Sequence, residues 1–360
     1  MIVILYPFRD RDMLRVQRSL DSWTTQTHTN FKIYVINYGS NSTISSQLKK
    51  VLEEYSFVTL KNCATQFQPW NKARALNSVI RELEESFCFV ADIDMIFHPN
   101  FMETLNHVKA ADTITYFKVG FLHKNESFTT NNFNTFKIHF VSDKEATGMS
   151  LFPIEALKKV RGFDEFFHFW GAEDTDVHKR LQNLGLSLNF YDKEVLVLHQ
   201  WHPSYRSRES KKITKELRLH NAVRLNHTHM NYNATHKITK VNDEHWGQPL
   251  SNSDLTALEN RIQKEITIPC TKSDIDHFIN FELKALKKGY YCFKFEKQSK
   301  TAVLKQRMKL VLGKQVIAYY SLKEINDLLL MAILVRCNFK KYCLKINDNL
   351  SSIQFILNIS

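Results

Sequence analysis

Across residues 1–200 short apolar runs, each closed by turn-forming or charged residues, alternate with stretches of helical periodicity. Few architectures accept that alternation. Residues 2–6 form an apolar run that ends at Pro7, and residues 31–37 a second that ends in Tyr38-Gly39-Ser40-Asn41, a turn composition. Between them Leu14, Arg15, Arg18, Leu20 and Trp23 fit a helix. Residues 45–55 and 71–85 read as further helices, the second with Ala75, Val79 and Leu83 on one face, and residues 57–60 as a short strand. Residues 87–91 read as a buried strand that runs straight into Asp92-Ile93-Asp94. A helix follows near 99–109, then strands near 113–119, 136–141 and 148–152, a helix over 173–184 and a strand over 195–198 that ends at His199. Strands alternating with helices predict an α/β fold built on a doubly wound, mostly parallel sheet. In such sheets ligands bind beyond the carboxyl ends of the strands, so the residues that follow the strands are the ones to inspect.

Length allows more than this one unit. A chain of 360 residues holds one large or two medium domains. A boundary is expected after Trp246-Gly247-Gln248-Pro249. Residues 1–250 would be a catalytic domain. Residues 251–360 would be a smaller, mainly helical module with strands around 289–296 and 315–320. The stretch 204–245 is polar, basic and rich in His, and no internal repeat is evident. With 43% hydrophobic and 12% aromatic residues the chain can bury a sizeable core, which excludes disorder as its main state. Nine Gly and seven Pro exclude collagen-like and low-complexity classes. No apolar run approaches the roughly 20 residues of a membrane span. The longest, residues 328–335, reads as a buried helix or strand. The N-terminal segment reads as a first strand, without the basic region and cleavage site of a signal peptide. The six cysteines are scattered with no CxxC spacing, which predicts reduced, mostly buried thiols and a cytoplasmic setting.

The net charge of +12 favours anionic partners. Much of the excess lies in residues 284–314, where Lys284, Lys287, Lys288, Lys294, Lys297, Lys300, Lys305, Arg307, Lys309 and Lys314 face few acids. Such a region can hold a protein to anionic lipid or serve only as a solvated face. A nucleic-acid binder would concentrate basic residues with interleaved aromatics on one module. Some of that pattern appears after Lys284, but nucleic acid is the less favoured partner.

Four clusters carry chemistry. Asp92 and Asp94, one residue apart at the end of a buried strand, suit a hard divalent cation that bridges diphosphate oxygens; two solvated turn aspartates are the bland alternative. His199 and His202, three apart after another strand, can converge on one metal that accepts imidazole. With the Asp pair they form a mixed O/N site for which Mn²⁺ is the best fit and Mg²⁺ the second. Pro7-Phe8-Arg9-Asp10-Arg11 puts two guanidinium groups after the first strand, where a pyrophosphate would lie. Asn71, Lys72 and Arg74 open a helix and offer a second nucleotide contact. Phe169-Trp170-Gly171-Ala172-Glu173-Asp174-Thr175-Asp176 joins an aromatic platform to three acids at a helix start. Those acids would stabilise the positive helix end in any case. A carboxylate beside a sugar-binding Trp could also act as general base on a hydroxyl.

In their order, Pro-Phe-Arg-x-Arg at 7–11, Tyr-Val-Ile-Asn at 34–37, Asn-Lys-Ala-Arg-Ala-Leu-Asn at 71–77, Phe-Val-Ala-Asp-Ile-Asp at 89–94, Gly-Phe at 162–163, Trp-Gly-Ala-Glu-Asp at 170–174 and His199-x-x-His202 carry a family resemblance. The set resembles the β-1,4-galactosyltransferases and the related chondroitin-type chain-extending transferases, inverting enzymes of the nucleotide-sugar-dependent A fold. The resemblance covers residues 1–205 and says nothing of 250–360. It implies Asp94 as the main carboxylate on Mn²⁺, with Asp92 nearer the ribose or the metal. His202 matches the family's histidine ligand, and His199 falls where the animal galactosyltransferases place a methionine. Pro7, Phe8, Arg9, Arg11 and Arg74 match nucleotide contacts. Asp174 would be the base, Glu173 would position substrate, and Trp170, Gly171 and Thr175 would line the acceptor. Two departures stand out: the family's Gly-Gly-Glu-Asp-Asp-Asp is here Gly171-Ala172-Glu173-Asp174-Thr175-Asp176, and residues 145–150 do not copy the galactosyl pattern.

The expected function is metal-dependent, inverting transfer of a hexose or N-acetylhexosamine, galactose or N-acetylgalactosamine first, from a UDP-sugar to a glycan hydroxyl. The setting would be surface polysaccharide synthesis at the inner face of the cell membrane, with a glycan or lipid-linked glycan acceptor. Two alternatives remain: a nucleotide-sugar or phosphodiester hydrolase using the same Asp/His site, and a basic nucleic-acid- or glycan-binding protein.

Overall fold

The computed structural model describes residues 1–128, 132–203, 211–262, 264–337 and 339–359. They fall into two compact units. The larger comprises Met1–Gln66, Trp70–Ser207 and Ala222–Pro249, and the smaller comprises Phe67–Pro69, Arg208–Asn221 and Leu250–Ser360. Of the His-rich stretch, residues 204–210 lie outside the described residues.

The larger unit opens with β1 (Ile2–Phe8), α1 (Met13–Thr24), β2 (Phe31–Tyr38), α2 (Ser42–Leu52), β3 (Val58–Cys63), α3 (Lys72–Ile80) and β4 (Phe87–Val90). It continues through β5 (Met95–Phe97), α4 (Phe101–Val108), β6 (Thr113–Phe117), β7 (Val119–Leu122), β8 (Ile138–Val141), β9 (Ser150–Pro153), α5 (Ile154–Lys159), α6 (Glu173–Asn183), β10 (Ser187–Tyr191), β11 (Val197–His199) and α7 (Ala222–Thr235). Its main sheet has the order β10-β6-β9-β4-β1-β2-β3. The β1–β2, β2–β3, β1–β4 and β6–β10 pairs are parallel, and only β9 runs antiparallel to its neighbours β4 and β6. This is the doubly wound, mostly parallel sheet that the alternation predicts.

Period-two alternation in β1 shows why. Ile2, Ile4, Tyr6 and Phe8 enter one core with Val16, Leu20, Leu48 and Phe101 of the helices on that face. Val3 and Leu5 enter the other, with Ala75, Leu76, Leu157, Val177 and Leu181. Helices on both faces bury the strand completely. Chain direction in strand order reverses about β1 and β4, which opens a crevice at their carboxyl ends.

A second sheet, β5-β11-β7-β8, is not legible in the strand pattern. Its β5–β11 step is antiparallel: His199 pairs with Met95, Leu198 with Ile96 and Val197 with Phe97. The backbone N–H of Gln200 then donates to the carbonyl of Asp94 at 3.1 Å. Sequence-distant segments are therefore locked at the point where the chain leaves β4.

The smaller unit contains α8 (Asn252–Asn260), β12 (Glu265–Thr267), α9 (Lys272–His277), α10 (Leu283–Ala285), β13 (Gly289–Glu296), α11 (Lys300–Val311), α12 (Leu322–Met331), β14 (Tyr342–Ile346) and β15 (Ser352–Ile359). Helices hold more of it than strands, as expected, but they surround a four-stranded sheet of order β12-β13-β15-β14. The strand at 289–296 is present as β13. The one expected at 315–320 is not: only Tyr319 makes an isolated bridge, to Thr271. An apolar run without a second strand beside it cannot satisfy its backbone as a ladder. The apolar run at 328–335 continues α12 into a wider π-type turn, Ala332–Cys337. Cys63, Cys88, Cys270, Cys292 and Cys343 are free and buried.

Candidate active site

The crevice at the ends of β1 and β4 holds two charged groups of different character. The first follows from the β5–β11 pairing, which sets Asp94 beside His199 and, three residues on, His202. His202 Nε2 lies 3.2 Å from Asp94 Oδ2, and His199 Nε2 lies 3.9 Å from Asp94 Oδ1. Ligand atoms of the three all fall within 4.8 Å of one another. Phe121 of β7 packs on the His199 ring at 4.9 Å between centroids and steadies its plane. Burial opposes charge on Asp94, but the hydrogen bond from His202 and the fields of His199, His202 and Arg11 outweigh it and hold the carboxyl well below its usual range. Burial pushes His199 down, whereas the bond to Asp94 pulls His202 up. Asp94 Oδ1 is buried without a hydrogen-bond partner among the described residues. One carboxylate with an orphaned oxygen and two imidazoles fit a divalent first-row cation.

The second group centres on Lys72 at the start of α3. Its Nζ lies 2.9 Å from Asp174 Oδ2, 3.5 Å from Asp92 Oδ1 and 3.6 Å from Glu173 Oε1. Burial works against the ammonium, yet these three carboxylates more than compensate and raise its pKa well above the ordinary value. Asp174 moves the other way for an acid. Burial pushes it up to about 7, with Glu173 and Asp92 adding to the shift and Lys72 opposing it. Asp174 lies in the first turn of α6, and the loop ahead of that helix is held from α7: the Asn226 side chain donates to the carbonyls of His168 at 2.9 Å and Trp170 at 3.1 Å. Asn233 of α7 bonds both Asp164, at 3.1 Å, and Asp176, at 2.9 Å. Phe169, Gly171 and Ala172 all have positive φ, at 68°, 98° and 76°. A chain this twisted is stable only where its surroundings over-determine it.

Several expected residues meet here and several do not. Asp94, His199 and His202 converge. Asp92 is half-exposed and turns to Lys72, so the described metal-ligand group does not include it. Glu173 and Asp174 share Lys72 with Asp92. Trp170 is 38% exposed at the rim. Thr175 Oγ1 lies 3.0 Å from Thr147 Oγ1, and a Cβ added at Gly148 would sit 3.5 Å from Asp174 Oδ2. The 145–150 segment therefore lies against the base candidate. A Cβ added at Gly171 would meet only Val223 and His227, near 4 Å. Arg9 donates to the carbonyl of Gln66 at 3.2 Å, and the charge of Arg11 reaches Asp94.

Three nucleotide-contact expectations need correction. Pro7 and Phe8 lie inside β1, which extends further than the apolar run suggests, and both are buried. Phe8 belongs to the core, and turning it out to a ligand would forfeit about 1.5–3 kcal/mol of burial. Arg74 is also internal: its Nε lies 2.8 Å from Glu165 Oε2, with both side chains almost fully buried. Asn71 caps α3 by accepting from the Arg74 N–H at 2.7 Å and donates to the Glu165 carbonyl at 2.8 Å. Lys72 is the side chain that this helix start presents to the carboxylates. One signal could have found it: Lys72, Ala75 and Val79 share a helix face at i, i+3 and i+7.

In sequence, residues 129–202 match the family model described as the N-terminal domain of galactosyltransferase. Over that segment the chain is similar to a galactosyltransferase domain. The matched segment contains β8, β9, α6 and β11, and so carries Glu173, Asp174, His199 and His202. No curated protein matches the chain. Among solved structures it is similar to S. aureus TarS 1-349 in complex with UDP, at 12% identity and a TM-score of 0.43, covering 57% of this chain and 62% of that one. It is also similar to the mannosyltransferase PcManGT from Pyrobaculum calidifontis in complex with GDP-Man and Mn²⁺, at 14% identity and a TM-score of 0.41, covering 55% and 56%. The alignments thus span less than two thirds of either chain.

Proposed function

We propose that this protein is a glycosyltransferase that moves a hexose or N-acetylhexosamine, galactose or N-acetylgalactosamine first, from a UDP-sugar to a glycan hydroxyl in a single displacement with inversion. The observation that carries the reading is the pairing of unlike carboxylates in one crevice: Asp94 is held ionised beside two imidazoles, and Asp174 is partly buried with a pKa raised to about 7. Environments that push two acids apart in this way divide their labour. Asp94, His199 and His202 would hold a divalent cation, with Mn²⁺ first and Mg²⁺ second from the donor set. When bound, that ion would supply Lewis-acid neutralisation of the leaving diphosphate. Arg9 and Arg11 add positive charge at the carboxyl end of β1, where the diphosphate would lie. Asp92 would contact the ribose side of the nucleotide.

Asp174 would take the proton from the attacking hydroxyl. A base is most useful when its pKa lies near the working pH, which the burial of Asp174 provides. Lys72 fixes the Asp174 carboxylate in place until the acceptor enters, and Glu173 shares in that positioning. Trp170 offers a face for a sugar ring, with Gly171 and Thr175 beside it. The acceptor would be a glycan or lipid-linked glycan in surface polysaccharide synthesis.

Isothermal titration with a panel of UDP-sugars, with and without Mn²⁺, tests the reading. Metal-dependent binding of one UDP-sugar, followed by transfer to a glycan with inverted anomeric configuration, is the expected result. Release of free sugar without an acceptor would instead favour a nucleotide-sugar hydrolase. Failure of every nucleotide sugar to bind would remove the proposal.

A further inference from the structure

Helix α11 differs from its neighbours in the smaller unit. Helix α12 buries Leu322, Ile325, Leu329 and Leu330. Helix α11 has no buried residue among its described side chains, although its sequence, KTAVLKQRMKLV, is rich in bulky apolar groups. Leu304, Met308, Leu310, Val311 and Leu312 are all exposed, Val311 at 88%, and Ile317 follows in the same state. Leu304, Met308, Val311 and Leu312 recur at i, i+4, i+7 and i+8, so they form one stripe. Lys305 and Lys309 flank it on one side and Arg307 on the other, all three exposed. From residue 297 to residue 323 the chain has Lys297, Lys300, Lys305, Arg307, Lys309, Lys314 and Lys323, and no Asp or Glu.

We propose that α11 and the segment to Ile317 dock this protein on an anionic lipid surface, with the Leu304–Met308–Val311 stripe entering the headgroup boundary and the flanking cations meeting lipid phosphates. Only one class of partner answers both halves of the surface. A polyanion such as nucleic acid would neutralise the cations and leave the apolar stripe in water. A second copy of α11 would cover the stripe but set cation against cation, with no acid in the segment to relieve the repulsion. An anionic bilayer buries apolar side chains at its interface while its headgroups pair with the lysines, which is how interfacial helices bind. No helix among the described residues is long and apolar enough to cross a membrane, so the contact would be peripheral. The inference is independent of the donor and acceptor proposed above.

Co-sedimentation of the full chain with phosphatidylcholine vesicles, with and without phosphatidylglycerol, tests it. Binding should require the anionic lipid. Replacing Lys305→Gln and Lys309→Gln should weaken it by about fivefold per cation. The triple variant Leu304→Ser, Val311→Ser, Leu312→Ser, which keeps every charge, should weaken it at least tenfold. Because the substituted side chains are all exposed, both variants should keep the parent melting temperature. As a second measurement, a polarity-sensitive dye on Met308→Cys should shift to the blue when anionic vesicles are added. No binding to anionic vesicles, equal binding to both kinds, an unaffected serine variant or an unshifted dye would each overturn the proposal. So would lipid-free self-association that the serine variant abolishes.

Discussion

The two charged groups in the crevice are built from the same residue types and end in opposite states. At one, Asp94 is buried against His199 and His202, and its carboxyl is held well below the usual range. At the other, Asp174 is partly buried beside Glu173 and Asp92 and rises to about 7, even with the Lys72 ammonium 2.9 Å away. Burial acts against charge in both places. What differs is the ratio of partners. Asp94 has two imidazoles and the nearby field of Arg11 to itself, whereas one lysine is divided among three carboxylates. A crevice can thus hold an acceptor of cations and an acceptor of protons at once, provided that the cationic partners are distributed unequally.

Loss of either carboxylate should separate these roles, and the largest effect is expected at the proton acceptor. Asp174→Asn should cut transfer by roughly 10²–10⁴-fold, the usual contribution of general acid–base catalysis, while UDP affinity stays nearly intact. Steady-state transfer and UDP titration on the same preparation check it. Normal turnover would sink the assignment of the base. Asp94→Ala should act on the other side of the comparison and weaken Mn²⁺-dependent UDP binding, on the order of 10–100-fold. If that variant binds UDP and metal like the parent, the triad is a structural cluster.

A smaller effect concerns the ratio itself. Transfer should climb with pH through about 7 and level off above, because Asp174 must be ionised to accept a proton. Lys72 opposes the upward shift, so Lys72→Met should move that midpoint to higher pH. A pH–rate profile reads it, and an unmoved midpoint would show that Lys72 does not act on the base. The same carboxyl has a consequence for folding. Its folded pKa lies above the unfolded one, so the folded chain binds the proton more tightly. That contribution is fully present below the ordinary carboxylate range and is lost as pH climbs through about 7.

How much of this was legible depends on whether local pattern or distant pairing makes the contact. Asp94 could be found because it follows an apolar strand, and His199 because it ends one. The α/β layering was equally readable, since β1 alternates its side chains between two cores. That the two ends meet is due to β5 and β11, strands of three residues each, too short to carry a period. The internal place of Arg74 is not legible because its partner Glu165 lies far along the chain, and a guanidinium near a helix start looks the same whether it faces ligand or core. Phe8 was misjudged because Pro7 seemed to end a strand that in fact runs one residue beyond it; a proline lacks only the donor that a strand interior requires. In the smaller unit β14 and β15 are not legible in the sequence. Their polar residues, such as Lys345, Gln354 and Asn358, break the apolar run.

The least effect is expected at Ala172, and it bears on how firmly the proton-accepting side is held. Ala172 precedes α6 with φ 76°, and no side-chain hydrogen bond caps the helix there. A left-handed alanine costs about 1–2 kcal/mol relative to the ordinary helical region. Glycine would relieve that strain but would lose about 0.5–1 kcal/mol through the greater freedom of the unfolded chain. The balance favours Ala172→Gly by about 1 kcal/mol or less, readable as a small rise in the urea midpoint at unchanged slope. The Asn226 bonds to the His168 and Trp170 carbonyls hold the loop on the opposite side of the turn, so the Asp174 position should survive the change. Transfer should then stay within about twofold of the parent, well under the tenfold that each 1.4 kcal/mol represents. A more stable variant that transfers poorly would mean that strain at Ala172, rather than the grip of α7, sets Asp174 against Lys72.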